Sequence, residues 1–181
     1  HFFKIETNRF HDSSYQPQNF PISSVYADSP IEHEYIIFNA LEIELSNDDS
    51  RLYISCSGIN QVRVFDTETG DSLATLMTGM MPWHMQLAND DSKLYVANRG
   101  EISSVSVVDI ETNETLPLQD DSMNMLHGCA LSKNNNLLVV TSPGSGNAYI
   151  YDTETNSLLH TVNLSDGSEQ PPMPTGVAIV Q

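Results

Sequence analysis

The strongest constraint on what this chain can fold into is a unit of about 43 residues that returns along it. Asn47-Asp48-Asp49-Ser50-Arg51-Leu52-Tyr53-Ile54 comes back 42 residues later as Asn89-Asp90-Asp91-Ser92-Lys93-Leu94-Tyr95-Val96. Phe65-Asp66-Thr67-Glu68-Thr69-Gly70 is answered by Val108-Asp109-Ile110-Glu111-Thr112-Asn113 and again by Tyr151-Asp152-Thr153-Glu154-Thr155-Asn156, with aspartates 43 residues apart. In the middle period Met85 to Ala88 reads as a short strand. Asn89 to Ser92 is a turn, because Asn and Asp side chains bond to nearby backbone and tolerate the left-handed region. Lys93 to Asn98 and Ser104 to Val108 alternate with period two and are rich in β-formers. Asp109 to Asn113 closes a hairpin and Glu114 to Leu118 supplies a fourth strand. Four antiparallel strands in a fixed period of this length predict an all-β fold, with each period one blade of a β-propeller.

The same pattern places three complete blades at residues 40–80, 81–122 and 123–168. Residues 1–10 read as the end of a blade, since Phe3 to Asn8 resembles the Asp-x-Glu-Thr hairpin, and 169–181 as the start of another, from Pro174 to Ile179. Residues 11–39, carrying Pro17, Pro21 and Pro30, form an irregular insertion that either covers one face or holds a partner. In the third blade Pro143 to Asn147 is expected to be a flexible connection. Propellers close with about 4 to 8 blades, and each blade needs a neighbour on both sides. The chain is therefore expected to be part of a larger propeller, completed by further blades in the same or another chain. It begins at His1 rather than Met, which agrees with that expectation.

Seven Lys and Arg against 24 Asp and Glu give a formal net charge of −17. A nucleic-acid backbone or an anionic membrane surface requires clustered cations, so neither is an expected partner. No apolar run approaches the roughly 20 residues that span a bilayer, so no membrane insertion is expected. Cys56 and Cys129 lack the paired spacing of a zinc or redox motif and read as buried free thiols. Asn113-Glu114-Thr115 and Asn163-Leu164-Ser165 fit a glycosylation acceptor, relevant only in a eukaryotic secreted chain.

Most residues that look chemical are turn residues. Asp66, Asp109 and Asp152, each with a Thr three positions on, read as side-chain caps rather than a repeated acidic site. Asp48-Asp49 and Asp90-Asp91 read as surface turns rather than calcium loops, which need denser oxygen ligands. The blade junctions differ. All seven methionines fall there or at their edges: Met77, Met80, Met81 and Met85, then Met123 and Met125, then Met173. Trp83 and His84 join the first junction, His127 and Cys129 the second. His84 and His127 lie 43 residues apart, in nearly equivalent places from which both can point toward the propeller axis.

Three readings of these junctions stand side by side. Methionines fill gaps between blades. Alternatively, Trp83, His84, His127, Met81, Met85 and Met125 form a partner-binding surface at the channel mouth. Thirdly, His84 and His127 contribute to a copper or haem site, with His11 or His33 added if the insertion folds over. A hydrolase would draw on His84, His127 and Glu42 or Glu44. Arg51, Arg63 and Arg99 are assigned to strands or loops away from the mouth. No nucleophile elbow or phosphate-cradling loop is present.

Tyr95-Val96-Ala97-Asn98, after its Asp-rich turn and before Val107-Val108-Asp109, resembles the YVTN-type β-propeller repeat. Cys56 departs from that pattern at the Asn position, and Leu138-Val139-Val140-Thr141 lacks both Tyr and Asn. The resemblance covers Leu41 to Val162 and implies an extracytoplasmic, prokaryotic protein, periplasmic or at the cell surface. Its members include surface propellers, lactonase-like enzymes and propeller parts of copper or haem reductases. The expected function is a non-enzymatic binding or scaffold module with a protein partner and no catalytic residues or cofactor. The alternatives are a copper- or haem-dependent redox module and a lactonase-type hydrolase.

Overall fold

The computed structural model describes residues 39–165 and 173–179. The partial blade at 1–10, the insertion up to residue 38, and residues 166–172 lie outside the described residues. Twelve strands run in order: β1 Ala40–Leu45, β2 Arg51–Cys56, β3 Gln61–Asp66, β4 Ser72–Met77, β5 Pro82–Leu87, β6 Lys93–Asn98, β7 Ser104–Asp109, β8 Thr115–Leu118, β9 Cys129–Leu131, β10 Leu137–Ser142, β11 Asn147–Asp152 and β12 Ser157–Asn163. They form three four-stranded antiparallel sheets, β1-β2-β3-β4, β5-β6-β7-β8 and β9-β10-β11-β12. No helix occurs among the described residues. The first strands of successive sheets lie side by side, β1 against β5 and β5 against β9. That is the arrangement of propeller blades around an axis, each sheet led by its inner strand.

The turns explain why the repeat is so acidic. Asp48 Oδ1 accepts from Ser46 Oγ, Ser50 N and Ser50 Oγ at 2.7, 3.0 and 2.7 Å. Asp90 repeats the bonds to Ser92. In the third blade Asn134 plays the part toward Ser132 and Asn136. The next residue of each turn, Asp49, Asp91 or Asn135, is left-handed at φ 59, 57 and 59°, a conformation Asn and Asp tolerate better than most residues. Asp66 Oδ1 caps the second hairpin by accepting from Glu68 N, Thr69 N and Thr69 Oγ1, and Asp109 does the same for Glu111 and Thr112. Hydrogen bonds to the ionised form hold the carboxyls of Asp48, Asp66, Asp90, Asp109 and, in the third blade, Asp152 below the usual range. The turns also join blades: Asn47 Nδ2 donates to Asn89 O and Asn89 Nδ2 to Lys133 O, each at 2.7 Å.

Between the sheets the apolar faces interlock. Tyr53, Val62, Val64 and Leu76 of the first blade pack on Met85, Leu87, Leu94 and Val96 of the second. Tyr95, Val105, Val107 and Leu118 of the second pack on Met123, Leu126, Leu138 and Val140 of the third. Two boundaries differ from the sequence expectation. β5 begins at Pro82, so Trp83 and His84 stand on an inner strand rather than in a connection. Pro143 to Asn147 is a tight turn, closed by Gly146 N to Ser142 O at 2.9 Å and pinned by Gly144 N to Asn124 O at 3.0 Å. Gly144 is needed there, since a Cβ would meet Asn124 Cγ at 2.6 Å.

Candidate functional site

The inner strands leave the regular ladder near their start. Register breaks fall between Ala40 and Ile43 in β1 and between Pro82 and Met85 in β5. Ahead of each break stands a left-handed residue: Asn39, Met81 and, in the third blade, Met125, at φ 51, 56 and 57°. This alignment makes Leu41, Trp83 and His127 equivalent, and likewise Glu42, His84 and Gly128. His84 and His127 are thus one position out of step, not equivalent, because the first inner strands are spaced 42 residues apart and the next 44. A hairpin period of 43 hid the difference.

The two tiers are tied blade to blade. His84 Nδ1 meets Glu42 Oε1 at 2.8 Å, while Glu42 Oε2 accepts from Met85 N. This hydrogen bond raises the His84 pKa above its ordinary value against the opposing effect of burial. Trp83 Nε1 donates to His127 Nε2 at 3.0 Å. An indole N–H only donates, so His127 Nε2 is unprotonated and a neutral ring carries its proton on Nδ1. That Nδ1 is buried, with the Thr175 carbonyl as a hydrogen-bonding neighbour that pulls the ring's pKa upward. Burial, then the neighbouring His84 and Arg99, prevail and lower it. The His84 and His127 rings stack at 4.8 Å between centroids with 37° between planes. Gly128 permits the close approach of the 175–176 backbone, since a Cβ would meet Thr175 O at 3.1 Å.

Arg99, assigned to a remote loop by sequence, lies over the Trp83 ring at 4.5 Å. Its position follows from Arg99 N to Met81 O at 2.9 Å, which continues the β5–β6 pairing past the strand end. The sequence signal that was missed is the 42-residue spacing of Glu42 and His84, which pairs opposite chemistries at one blade position. The predicted site residues divide accordingly. Trp83, His84 and His127 come together at the axis. Met81 and Met125, at 41% and 36% exposure, stand two residues before Trp83 and His127. Met85, at 3%, packs into the first blade interface and presents no surface to a partner. Glu44 sits further along β1, accepting from Gln86 Nε2 at 3.1 Å, and burial raises its pKa.

Cys56 and Cys129 are free and buried. Burial pushes the Cys56 thiol up to about 11 and Cys129 higher still, so neither supplies a thiolate near neutrality. No group of three or more His, Cys, Asp or Glu is gathered for a metal among the described residues. His127 Nε2 and His84 Nδ1 are engaged by Trp83 and Glu42, which leaves one further nitrogen on each ring.

Two solved structures are similar in fold. Against Kuenenia stuttgartiensis hydrazine synthase the TM-score is 0.62 at 22% identity, over 74% of this chain and 39% of that one. Against U3-55K it is 0.61 at 14% identity, over 68% and 39%. The chain spans about two fifths of either neighbour. At this identity the likeness concerns the fold alone, and with the three stacked sheets it makes the chain a β-propeller module. No family profile and no curated protein matches the sequence.

Proposed function

We propose that the chain is a non-enzymatic binding or scaffold module of the YVTN-repeat type, working outside the cytoplasm, with the axial mouth as its docking surface. One observation carries the reading: Trp83, His84 and His127 are locked across three blades and half-buried, with exposed methionines ahead of them. Trp and Met are enriched in interface cores, and a pre-organised aromatic loses little entropy on binding. The Arg99 guanidinium on Trp83 adds a positive charge that suits a partner presenting carboxylates or carbonyls.

A redox module is the second reading, favoured by two stacked imidazoles with thioethers nearby. The Glu42–His84 pair also has the form of an oriented acid–base group. The test is a photo-crosslinking residue at Met81 or Met125 in the cells that make the protein. One discrete protein adduct, lost in a folded Trp83→Ala variant, is the expected result. Stoichiometric copper or haem in natively purified protein replaces this reading with the redox one. Lactone hydrolysis abolished by His84→Ala replaces it with a hydrolase.

A further inference from the structure

One side of the first blade is buried without a described blade against it. Leu52, Ile54 and Phe65 are 8, 2 and 3% exposed and cluster with Ala40 and Cys56, all of the first blade. They point away from the second blade, because Tyr53, Val62 and Val64, which alternate with them, pack on it. The third blade shows how an uncovered side differs. Val162 pairs there as Leu76 and Leu118 do in the first two blades, yet it is 40% exposed against 1 and 7%. A sheet face reaches full burial only against a second layer, so Leu52, Ile54 and Phe65 have a cover. The cover is incomplete: Ile43 and Leu45 on β1 and Thr75 on β4 remain exposed on the same side.

The other blades show from where such a cover comes. Strand register makes Arg63, Ser106 and Tyr149 equivalent. The connection entering the second blade bonds this position through Gly79 N to Ser106 Oγ at 2.9 Å. The connection entering the third does so through Ser122, whose hydroxyl lies 2.8 Å from that of Tyr149. In the first blade Arg63 is half-buried, and its Nε is buried with no hydrogen-bond partner among the described residues. The connection entering that blade ends at Asn39, whose carbonyl accepts from Ser57 N at 3.1 Å, as the Met81 carbonyl accepts from Arg99 N. Chain arriving at Asn39 by the same route passes Arg63. Residues 1–38 lie outside the described residues, but their composition suits that place. They hold every phenylalanine except Phe65, and the carboxylates Glu6, Asp12, Asp28, Glu32 and Glu34. Phenylalanine brings a large apolar area to a sheet face, and a carboxylate is the matching acceptor for a guanidinium.

We propose that residues 1–38 cap the open side of the first blade, laying phenylalanine side chains over Leu52, Ile54 and Phe65 and a carboxylate against Arg63. The cap stands in for a preceding blade, as terminal units of repeat proteins do, and leaves Ile43 and Leu45 uncovered on the inner strand. It does not depend on what the axial mouth binds.

Two measurements on the full chain test this. A photo-crosslinking residue at Thr75, exposed and paired with Arg63 on this side, is expected to give an intramolecular adduct to a peptide within residues 1–38. An adduct of doubled mass, or one to another protein, assigns the surface to a second copy or a partner and overturns the cap. An adduct confined to residues 39–181, or no adduct, overturns it too. The second measurement is alkylation of Cys56, a member of the covered cluster, with Cys129 in the second blade interface as internal reference. Replacing Phe2, Phe3, Phe10 and Phe20 by Ser should speed Cys56 alkylation by about tenfold, as protection by packing gives way to local opening, and leave Cys129 slow. Loss of the cover also lets the Cys56 thiol fall from about 11 toward its ordinary pKa. Equal Cys56 rates before and after the substitutions overturn the proposal. If both thiols become reactive the variant has unfolded, and the crosslink decides alone.

Discussion

At the residue scale the axis carries two histidines of opposite temperament 4.8 Å apart. His84 gains a carboxylate and titrates above its ordinary pKa; His127 accepts from an indole and titrates below it. The consequences for stability have opposite signs. The His84–Glu42 contribution is fully present below the unfolded pKa of about 6.5 and is lost as pH rises through the higher folded value. The His127 contribution is present above about 6.5 and is lost as pH falls through the lower folded value. Side-chain NMR titration is expected to place His84 above and His127 below the ordinary histidine pKa of about 6.5. Trp83→Phe removes the donor that competes for His127 Nε2, so the His127 value should rise while His84 moves less. An unchanged His127 in that variant would mean the indole bond does not set its tautomer.

At the scale of one element, β6 shows how a strand serves packing on both faces. Leu94 and Val96 face the first blade and Tyr95 and Ala97 the third, all within a few per cent of full burial. Truncating Leu94 to Ala should cost about 2–5 kcal/mol, read as a shifted denaturant midpoint with unchanged slope. At its end Asn98 is fully buried and donates from Nδ2 to Ser104 O, Ser104 Oγ and Ser106 Oγ at 3.0, 3.1 and 2.9 Å. Gly79 lies against this amide, where a Cβ would meet Nδ2 at 2.7 Å. Asn98→Ala should destabilise by about 1–3 kcal/mol, because buried serine groups lose their partner. A loss below about 0.5 kcal/mol in the same unfolding experiment would show that the serines re-pair with each other or with water.

For the whole molecule the dominant field is negative. The capped turn carboxylates Asp48, Asp66, Asp90, Asp109 and Asp152 are all held ionised well below neutrality, and they recur on every blade. Their mutual repulsion opposes the compact state and is screened over about 10 Å at 0.1 M salt. The melting temperature is expected to rise between low and physiological ionic strength, as followed by circular dichroism; a fall would mean that attractive pairs outweigh the repulsion. The blade interfaces are uneven at the same scale. Met85 and Leu87 are 3% and 5% exposed between two blades, while Ile43 and Leu45, in the equivalent places of β1, are 55% and 48% exposed.

The blades were legible in the sequence because their determinants are local. An Asp that bonds its own turn, a residue able to sit at positive φ and a strand that alternates every second position all act within a few residues. The axial site was legible only in outline. Trp83, His84 and His127 stood out as departures from the repeat, yet their pairing depends on a one-residue offset between inner strands that the 43-residue hairpin period concealed. Met85 and Arg99 exchanged roles, one going into the core and the other over Trp83, because a side chain's burial depends on what the neighbouring blade supplies opposite it. The sequence by itself determined the strands, their turns and the repeat that stacks them. The tertiary structure decided which side chains meet across blades, because those contacts join residues about 43 apart whose alignment only the packed sheets set.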